Sequence, residues 1–343
     1  MGEENKITKS REKGSGHSNN IVLILIAVIG LIGTITAAYI GAVYPTEISL
    51  TATASALATS GIQTVIPTGD PIRITDQLGN EIEPAFSFDG RSIVFIADGD
   101  GNNEIYTINP DGLAERRITE TQRGEDLPTF SPDGQSILFG ADYNGNDELY
   151  LLNLSGNHDS INITNTPDID EGRARFTPSG KNIIFDSNQT GDWDIYIGRF
   201  QDGLVSNARN LTNRPEYQDR YPTVSSLDNR VFFRSEPLFD NPESKSNLYS
   251  IQTNGTDLRT ITSGSDDRFP SITADETWLT FQSSRDGNKE IYALNLRTVE
   301  LRRLTDHPAD DSFPSFSKDG RWIVFSSNRA GRGYDLYKIP FQP

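Results

Sequence analysis

The chain has 343 residues, with 31 Lys and Arg against 48 Asp and Glu, a net charge of −17 and no cysteine. Without cysteine there are no disulfides, thiol nucleophiles or thiolate metal sites, and the three histidines leave little room for a histidine-based catalytic or metal centre. An acidic chain repels phosphate backbones, so no nucleic-acid partner is expected, whereas cations and basic protein surfaces would be attracted.

The N-terminal segment predicts a membrane anchor. Residues 21–43 carry no charged side chain, and as a helix rising ~1.5 Å per residue they would span about 35 Å, enough to cross a hydrocarbon core of ~30 Å. Four Lys or Arg precede this segment and none lies between residues 44 and 72. We therefore expect a cytoplasmic tail over residues 1–20 and a single-pass cell-membrane protein whose remaining chain is extracytoplasmic. A cleaved signal peptide is the alternative, although its apolar core would be shorter.

Residues 44–70 predict a flexible linker. They are rich in Thr and Ser, nearly uncharged, and show no helical or strand period. A random coil of this length has a root-mean-square span of roughly 30 Å, which would hold the following domain close to the membrane.

The rest of the chain, residues 71–343, is a tandem repeat. Its copies are spaced by 44 to 48 residues, which suits a four-stranded propeller blade, and they start at Pro84, Pro128, Ala174, Pro222, Pro270 and Pro314. A turn follows the first strand of each copy, and it is Asp-Gly in three copies, as at Asp89-Gly90, because Gly accepts a positive φ. Copies four and five carry Asp228-Asn229 and Asp275-Glu276 there, so we expect their turns to differ or to be strained.

The remaining strands of each copy have fixed positions. The second strand ends in Phe (Phe95, Phe139, Phe185, Phe233, Phe281 and Phe325), and the apolar residues before it predict burial on both faces. The third strand carries Tyr after an acidic residue in all copies but the fourth, where Asn247 replaces the acid. The fourth strand ends in Thr in the first five copies.

The sixth copy has no such Thr of its own. However, Thr75 lies nine residues before Pro84, just as Thr119 lies nine residues before Pro128. The N-terminal segment therefore predicts the missing fourth strand of the last blade. We expect an all-β, six-bladed β-propeller with four-stranded blades, in which this strand closes the ring and removes exposed sheet edges.

The pattern Pro-x-Phe-Ser-x-Asp-Gly, a buried apolar strand, Asp/Glu-Ile-Tyr and Leu-Thr resembles the TolB-type propeller repeat, a relative of WD-type repeats. The resemblance covers residues 71–343. It implies the fold but not the function, since such repeats occur in periplasmic translocation proteins, in peptidases and in sugar-degrading enzymes. TolB proteins carry an α/β domain before the propeller, where this chain has the predicted helix and linker. The chain has no Gly-x-Ser-x-Gly motif of the peptidase relatives.

The loops that join each fourth strand to the next first strand are acidic. In a propeller these loops gather at one mouth of the central channel, so we predict an acidic binding surface there. Its candidate residues are Glu83, Glu125, Asp126, Asp170, Asp219, Asp266, Asp267, Asp310 and Asp311. The alternative interpretation is that single acids cap backbone N–H groups and pair with the interleaved arginines.

Two other features are weak candidates. The loop from Asp98 to Glu104 alternates oxygen ligands as a calcium loop does, but it lacks the Gly and Glu that an EF-hand requires, and hairpin turn chemistry explains it. His158 and His307 have no evident catalytic partners. We therefore expect no metal, no cofactor and no catalysis.

The sequence thus favours a non-catalytic, membrane-tethered, extracytoplasmic binding or scaffold protein whose acidic mouth engages an envelope protein, peptide or glycan. The alternative is an enzyme that degrades or modifies an envelope glycan with channel carboxylates, which would need two of them ~5–9.5 Å apart. A purely architectural spacer is a third possibility.

Overall fold

A computed structural model describes residues 69–156, 158–238 and 245–343. These residues form six antiparallel sheets of four strands each. The predicted cytoplasmic tail, the predicted transmembrane helix and the linker up to residue 68 lie outside the described residues. Within the described ranges, we find no helix with the length and hydrophobicity needed to cross a bilayer.

Blades 1 to 3 each use four consecutive strands. Blade 1 contains β2 (Glu81–Phe86), β3 (Ile93–Ala97), β4 (Glu104–Ile108) and β5 (Arg116–Arg117). Blade 2 contains β6 (Glu125–Phe130), β7 (Ser136–Ala141), β8 (Glu148–Asn153) and β9 (Ser160–Asn162). Blade 3 contains β10 (Glu171–Phe176), β11 (Asn182–Ser187), β12 (Asp194–Gln201) and β13 (Leu204–Asn210).

Blades 4 to 6 continue the ring. Blade 4 contains β14 (Tyr217–Val224), β15 (Arg230–Pro237), β16 (Asn247–Gln252) and β17 (Arg259–Thr260). Blade 5 contains β18 (Asp267–Ile272), β19 (Trp278–Ser283), β20 (Glu290–Asn295) and β21 (Leu301–Arg303). Blade 6 contains β22 (Asp311–Phe316), β23 (Trp322–Ser327), β24 (Asp335–Pro340) and β1 (Ile72–Arg73).

The ring is closed by the N-terminal strand, as the sequence predicts. β1 pairs antiparallel with β24, with Ile72 opposite Lys338 and Arg73 opposite Tyr337. Around the channel the first strand of each blade contacts the first strands of the two neighbouring blades, and β2 contacts both β6 and β22. The prediction of a six-bladed, four-stranded propeller closed in this way is confirmed.

A hydrophobic core fills each of the six interfaces between blades. At the interface of blades 1 and 2, for example, Val94 and Ile105 pack with Phe139 and Tyr150. The second strand of each blade contributes to the cores on both of its sides, and its Phe is at most 2% exposed in all six blades. Each Phe lies opposite the Tyr of the third strand, with ring centroids 5.7–6.1 Å apart, a contact that adds to the free energy of area burial.

The repeated Thr lies two residues after the end of the fourth strand and joins this segment to the third strand. In every blade its hydroxyl accepts a hydrogen bond of 2.8–3.2 Å from a third-strand backbone N–H. In blade 6 the acceptor is Thr75 and the donor is Leu336. The same hydrogen bond therefore recurs in all six blades, and in blade 6 it is made by Thr75 from the N-terminal end of the domain.

The turns after the first strand have the same form in all six blades. The residue at the glycine position donates its N–H to the residue three positions earlier, and its φ is 68–72° at the four glycines. Blades 4 and 5 place Asp228 and Glu276 at this position, each with a φ of 56°. These two turns are therefore strained rather than different, and Asp228, not Asn229, takes the place of the glycine.

Candidate functional site

The first strand of every blade carries a buried carboxylate within its first three residues, near the mouth. The mouth is the channel end where the fourth-to-first and second-to-third strand loops lie. These residues are Glu81, Glu125, Glu171, Asp219, Asp267 and Asp311, each at most 3% exposed. Their partners are hydroxyls or arginines of the surrounding loops. Thr119 Oγ1 donates to Glu125 at 3.0 Å, and Arg329 pairs with Asp311 at 2.7 Å. Four of the nine predicted mouth residues therefore hold the loops of the blade junctions.

Asp170, Asp266 and Asp310 precede three of these buried acids and are partly exposed at the rim. Asp170 accepts a hydrogen bond from Asn188 at 2.9 Å, and Asp266 pairs with Arg268 at 3.0 Å. Asp310 lies 3.4 Å from Lys289 Nζ. The rim therefore exposes carboxylate surface, but each of these acids also contacts a neighbouring loop.

The last two predicted residues, Glu83 and Asp126, lie deep in the channel. Glu83 Oε2 accepts a hydrogen bond from the backbone N–H of Leu127 at 2.6 Å. Burial raises the pKa of the Glu83 carboxyl to about 7, and the charge of Asp126 contributes to that rise. Burial also raises the pKa of Asp126, whose carboxylate accepts no hydrogen bond from the described residues. Asp126 lies opposite Gly140, where a Cβ atom would come within 2.3 Å of its Oδ1.

A β-bulge interrupts the first strand of all six blades and turns one residue per blade into the channel. All six residues have a φ of 46–59°, a conformation that costs non-glycine residues energy and that clusters at functional sites. We call them the inner ring: Glu83, Leu127, Arg173, Tyr221, Phe269 and Phe313.

Half of the inner ring is aromatic. Tyr221, Phe269 and Phe313 come from consecutive blades, and we call them the aromatic arc. The ring centroids of Tyr221 and Phe269 are 4.5 Å apart, and those of Phe269 and Phe313 are 4.3 Å apart. All three side chains are partly exposed to the channel and lie outside the six hydrophobic cores. They form an apolar wall on one side of the channel.

Arginines flank the aromatic arc on the side of blades 3 and 4. Arg173 lies over the Tyr221 ring at 4.5 Å and pairs with the buried Asp186 at 3.5 Å. Arg220 stacks on Trp193 at 3.7 Å. Burial lowers the pKa of Arg234 to about 10, and the charge of Arg268 adds to this effect. Because Arg173 also lines the inner channel, the channel wall carries a cationic group that the acidic loops do not suggest.

A cavity of about 470 Å³ opens at the mouth between blades 5, 6 and 1. Phe269 and Phe313 line both this cavity and the inner channel. Asp266, Arg268 and Lys289 line the cavity as well. A ligand entering here meets rim charges first and the aromatic arc next.

The remaining sequence candidates lie elsewhere. Asp98 accepts hydrogen bonds from the backbone N–H and side-chain amide of Asn80, at 2.6 and 2.8 Å, so it holds the loop before β2. His307 Nδ1 accepts the N–H of Ala309 at 3.0 Å within a loop. Among the described residues we find no group of three or more His, Asp or Glu side chains placed to hold a metal ion.

The sequence did not predict the aromatic arc, and it indicated the interleaved arginines only as partners of the mouth acids. The inner-ring residues share one position in the repeat, since each directly precedes a repeat start such as Pro222 or Pro270. What the sequence pattern did not indicate is the bulge, which turns this residue into the channel.

Comparison with known families agrees with this fold. Residues 121–283 match the family model of the TolB beta propeller domain. A comparison with curated proteins found no match.

Solved structures with similar folds include TolB from Acinetobacter baumannii, with a TM-score of 0.59 and 23% identity over 69% of this chain and 57% of that one. A putative TolB from Agrobacterium tumefaciens has a TM-score of 0.53 and 18% identity over 78% of this chain and 100% of its own. Oligogalacturonate lyase from Vibrio parahaemolyticus has a TM-score of 0.56 and 12% identity over 82% of this chain and 97% of its own. At these identities the likeness shows the fold alone, and this chain matches little more than half the length of the Acinetobacter protein.

Proposed function

Because this chain is a TolB-type β-propeller repeat protein, we propose that it is a non-catalytic binding protein that takes a segment of an envelope partner into the mouth of its channel. The aromatic arc is the observation that carries this proposal. Three partly exposed aromatic side chains stand side by side in strained backbone conformations and take no part in the cores. Channel-facing aromatic rings with polar groups nearby are typical of ligand sites.

The charges at the mouth support a polar or charged ligand. Asp170, Asp266 and Asp310 leave carboxylate surface at the rim, whereas Arg173 lines the inner channel. A protein segment with basic residues near the rim and an apolar residue on the aromatic arc fits this order of groups. A glycan that stacks its sugar faces on the same rings is the competing ligand.

We further propose that the protein is tethered by residues 21–43 with its propeller outside the cytoplasm. The uncharged segment of 23 residues and the basic residues before it support this location. Mass measurement of the mature N-terminus after membrane extraction tests it. An intact N-terminus in the membrane fraction is expected, and a chain that begins near residue 43 would indicate a cleaved signal peptide.

Purification of the full chain in mild detergent from its own cells tests the binding proposal. We expect a partner to co-purify with the wild type and to be lost from the double variant Phe269→Ala/Phe313→Ala. Leu227→Ala is the matched control, because Leu227 is 71% exposed in the turn at the opposite channel end. Equal recovery from all three proteins, or no partner with any of them, would contradict the proposal.

The enzyme alternative would use Glu83 and Asp126, the channel carboxylates whose pKa values are raised. A group with a pKa of about 7 suits general acid catalysis near neutral pH. Incubation with envelope glycans and an assay for new reducing or unsaturated ends tests this alternative. Turnover by the wild type that is lost in Glu83→Gln would favour it over simple binding.

A further inference from the structure

A second set of side chains lies beyond the inner ring, two residues further along each first strand, and we call it the middle ring. Five of its members are Ala, Ser or Thr and one is Arg: Ala85, Thr129, Arg175, Thr223, Ser271 and Ser315. Arg175 is therefore the one long side chain at this level. It lines the inner channel together with Thr223, Ser271 and Ser315.

Arg175 has no counter-ion among the described residues. Its Nη1 donates to the carbonyl of the adjacent Ala174 at 3.0 Å, and no carboxylate oxygen lies within 4.0 Å of its guanidinium nitrogens. The two carboxylates whose charges act on Arg175 are Glu83 and Asp186. Both already accept backbone hydrogen bonds, Glu83 from the N–H of Leu127 and Asp186 from the N–H of Tyr221. A cation held deep in a protein without a partner is unfavourable, and burial lowers the pKa of Arg175 accordingly.

Free space adjoins this cation. The inner channel holds a cavity of about 60 Å³ between the inner and middle rings. One water molecule needs about 10–15 Å³ of such space. A carboxylate group with one or two waters therefore fits beside Arg175, whereas a sugar ring or an indole does not.

We propose that Arg175 and the hydroxyls of Thr223, Ser271 and Ser315 form an anion site that binds a carboxylate group of the ligand. A guanidinium presents parallel N–H donors that match the two oxygens of a carboxylate. The hydroxyls supply further donors. The aromatic arc lies directly above and would pack against an apolar or aromatic stem that carries the carboxylate.

This inference rests on the proposed function, since it assigns a chemistry to the innermost part of the same site. The ligand feature that it names is the C-terminal carboxylate of a protein segment, or a side-chain carboxylate close to its end. N-acetylphenylalanine is a simple probe, because it joins a carboxylate to an aromatic ring, and its amide is the same molecule without the charge.

Thermal unfolding of the full chain in detergent, at pH 7 and constant ionic strength, tests the site. N-acetylphenylalanine should raise the Tm of the wild type in a saturable way, and its amide should not. In Arg175→Gln the apparent affinity should fall about tenfold or more, and Arg175→Lys should keep part of it. Arg199→Gln is the control, because Arg199 is exposed on the outer part of blade 3 and should leave the shift unchanged.

Arg175→Gln carries its own folding check. Because it removes a partly buried charge that has no ion-pair partner among the described residues, its Tm without the probe should equal or exceed that of the wild type. Equal shifts in the wild type and Arg175→Gln, equal shifts with acid and amide, or no shift in the wild type would each overturn the anion site. If a partner still co-purifies through Phe269 and Phe313 in that case, the proposed function stands and only this inference fails.

Discussion

The hydroxyl of Thr75 accepts a hydrogen bond at 2.9 Å from the backbone N–H of Leu336, a residue 261 positions later. The same hydroxyl donates to the buried carboxylate of Glu81 at the start of blade 1. Thr75 therefore joins the last blade to the first. Thr75→Val keeps the shape but leaves both partners unsatisfied, so we expect a loss of about 1–3 kcal/mol in the free energy of unfolding.

Urea denaturation of the full chain measures this loss. Thr107→Val is the matched control, because Thr107 is also a strand residue but its hydroxyl makes no hydrogen bond with the described residues. Deletion of residues 71–77 should cost more, because it also removes the pairing of β1 with β24. A truncated chain that unfolds like the intact one would contradict the ring closure.

Gly140 provides the space that Asp126 occupies. A methyl group at Gly140 would lie 2.3 Å from Asp126 Oδ1, so Gly140→Ala must displace a buried carboxylate and should cost about 1–3 kcal/mol. The double variant Gly140→Ala/Asp126→Ala should recover most of that loss. A double-mutant cycle by urea denaturation checks this. Additive changes in the free energy of unfolding would show that the two side chains do not interact.

Buried carboxyl groups make the stability of the propeller depend on pH. Burial raises the pKa of Glu81 and Glu171 to about 7 and that of Asp219 to about 6. A raised folded-state pKa means that the stabilisation is fully present below the unfolded pKa of ~4.3 and is lost as the pH rises through 7. We therefore expect a higher Tm at pH 5.5 than at pH 8.

Glu171→Gln should reduce the change of Tm with pH, because the glutamine side chain is uncharged at every pH. Asp89→Asn is the opposite control, since hydrogen bonds from Ser87 and Arg91 lower the pKa of Asp89 and its contribution is lost only in acid. Thermal melts between pH 5 and 8.5 provide the test. A Tm that rises from pH 5.5 to pH 8 would contradict the assignment.

Glu276 stands at a turn position that glycine fills in four other blades. Its φ of 56° strains a residue with a Cβ atom, and its side chain accepts two long hydrogen bonds, from Ser226 Oγ at 3.3 Å and from Leu227 N–H at 3.2 Å. Glu276→Gly should therefore raise the free energy of unfolding by about 0.5–1 kcal/mol. Glu276→Ala keeps the strain and loses both hydrogen bonds, so it should not stabilise the protein. Stabilisation by both variants would indicate a cause other than the backbone.

The sequence predicts the fold well because each repeat position has a local physical reason. Phe95 and its five equivalents are buried in the cores between blades, as their apolar neighbours predict. The pairing of Thr75 with blade 6 follows from the spacing of the repeat alone. The candidate site was predicted less well. Whether an acid such as Asp267 faces solvent or pairs with Arg285 at 2.9 Å depends on contacts between loops, which a repeat alignment does not contain.

Apart from Glu83, the inner ring was missed for a similar reason. A bulge is set by the backbone of two neighbouring strands, and nothing in the residues Tyr221, Phe269 and Phe313 distinguishes a channel position from a core position. Arg175 was overlooked because one arginine among Ser and Thr looks like an ordinary exposed residue until the strand is placed at the channel.

The central claim is that the channel, through its aromatic arc, is the binding surface, and site-specific photocross-linking tests it most directly. A benzophenone side chain would replace Phe269 in one protein and the 63% exposed Leu113 of blade 1 in another, each in the full chain in its own cells. We predict a discrete cross-linked product from position 269 and none of that mass from position 113. The same product from both positions, or none from position 269, would contradict the account.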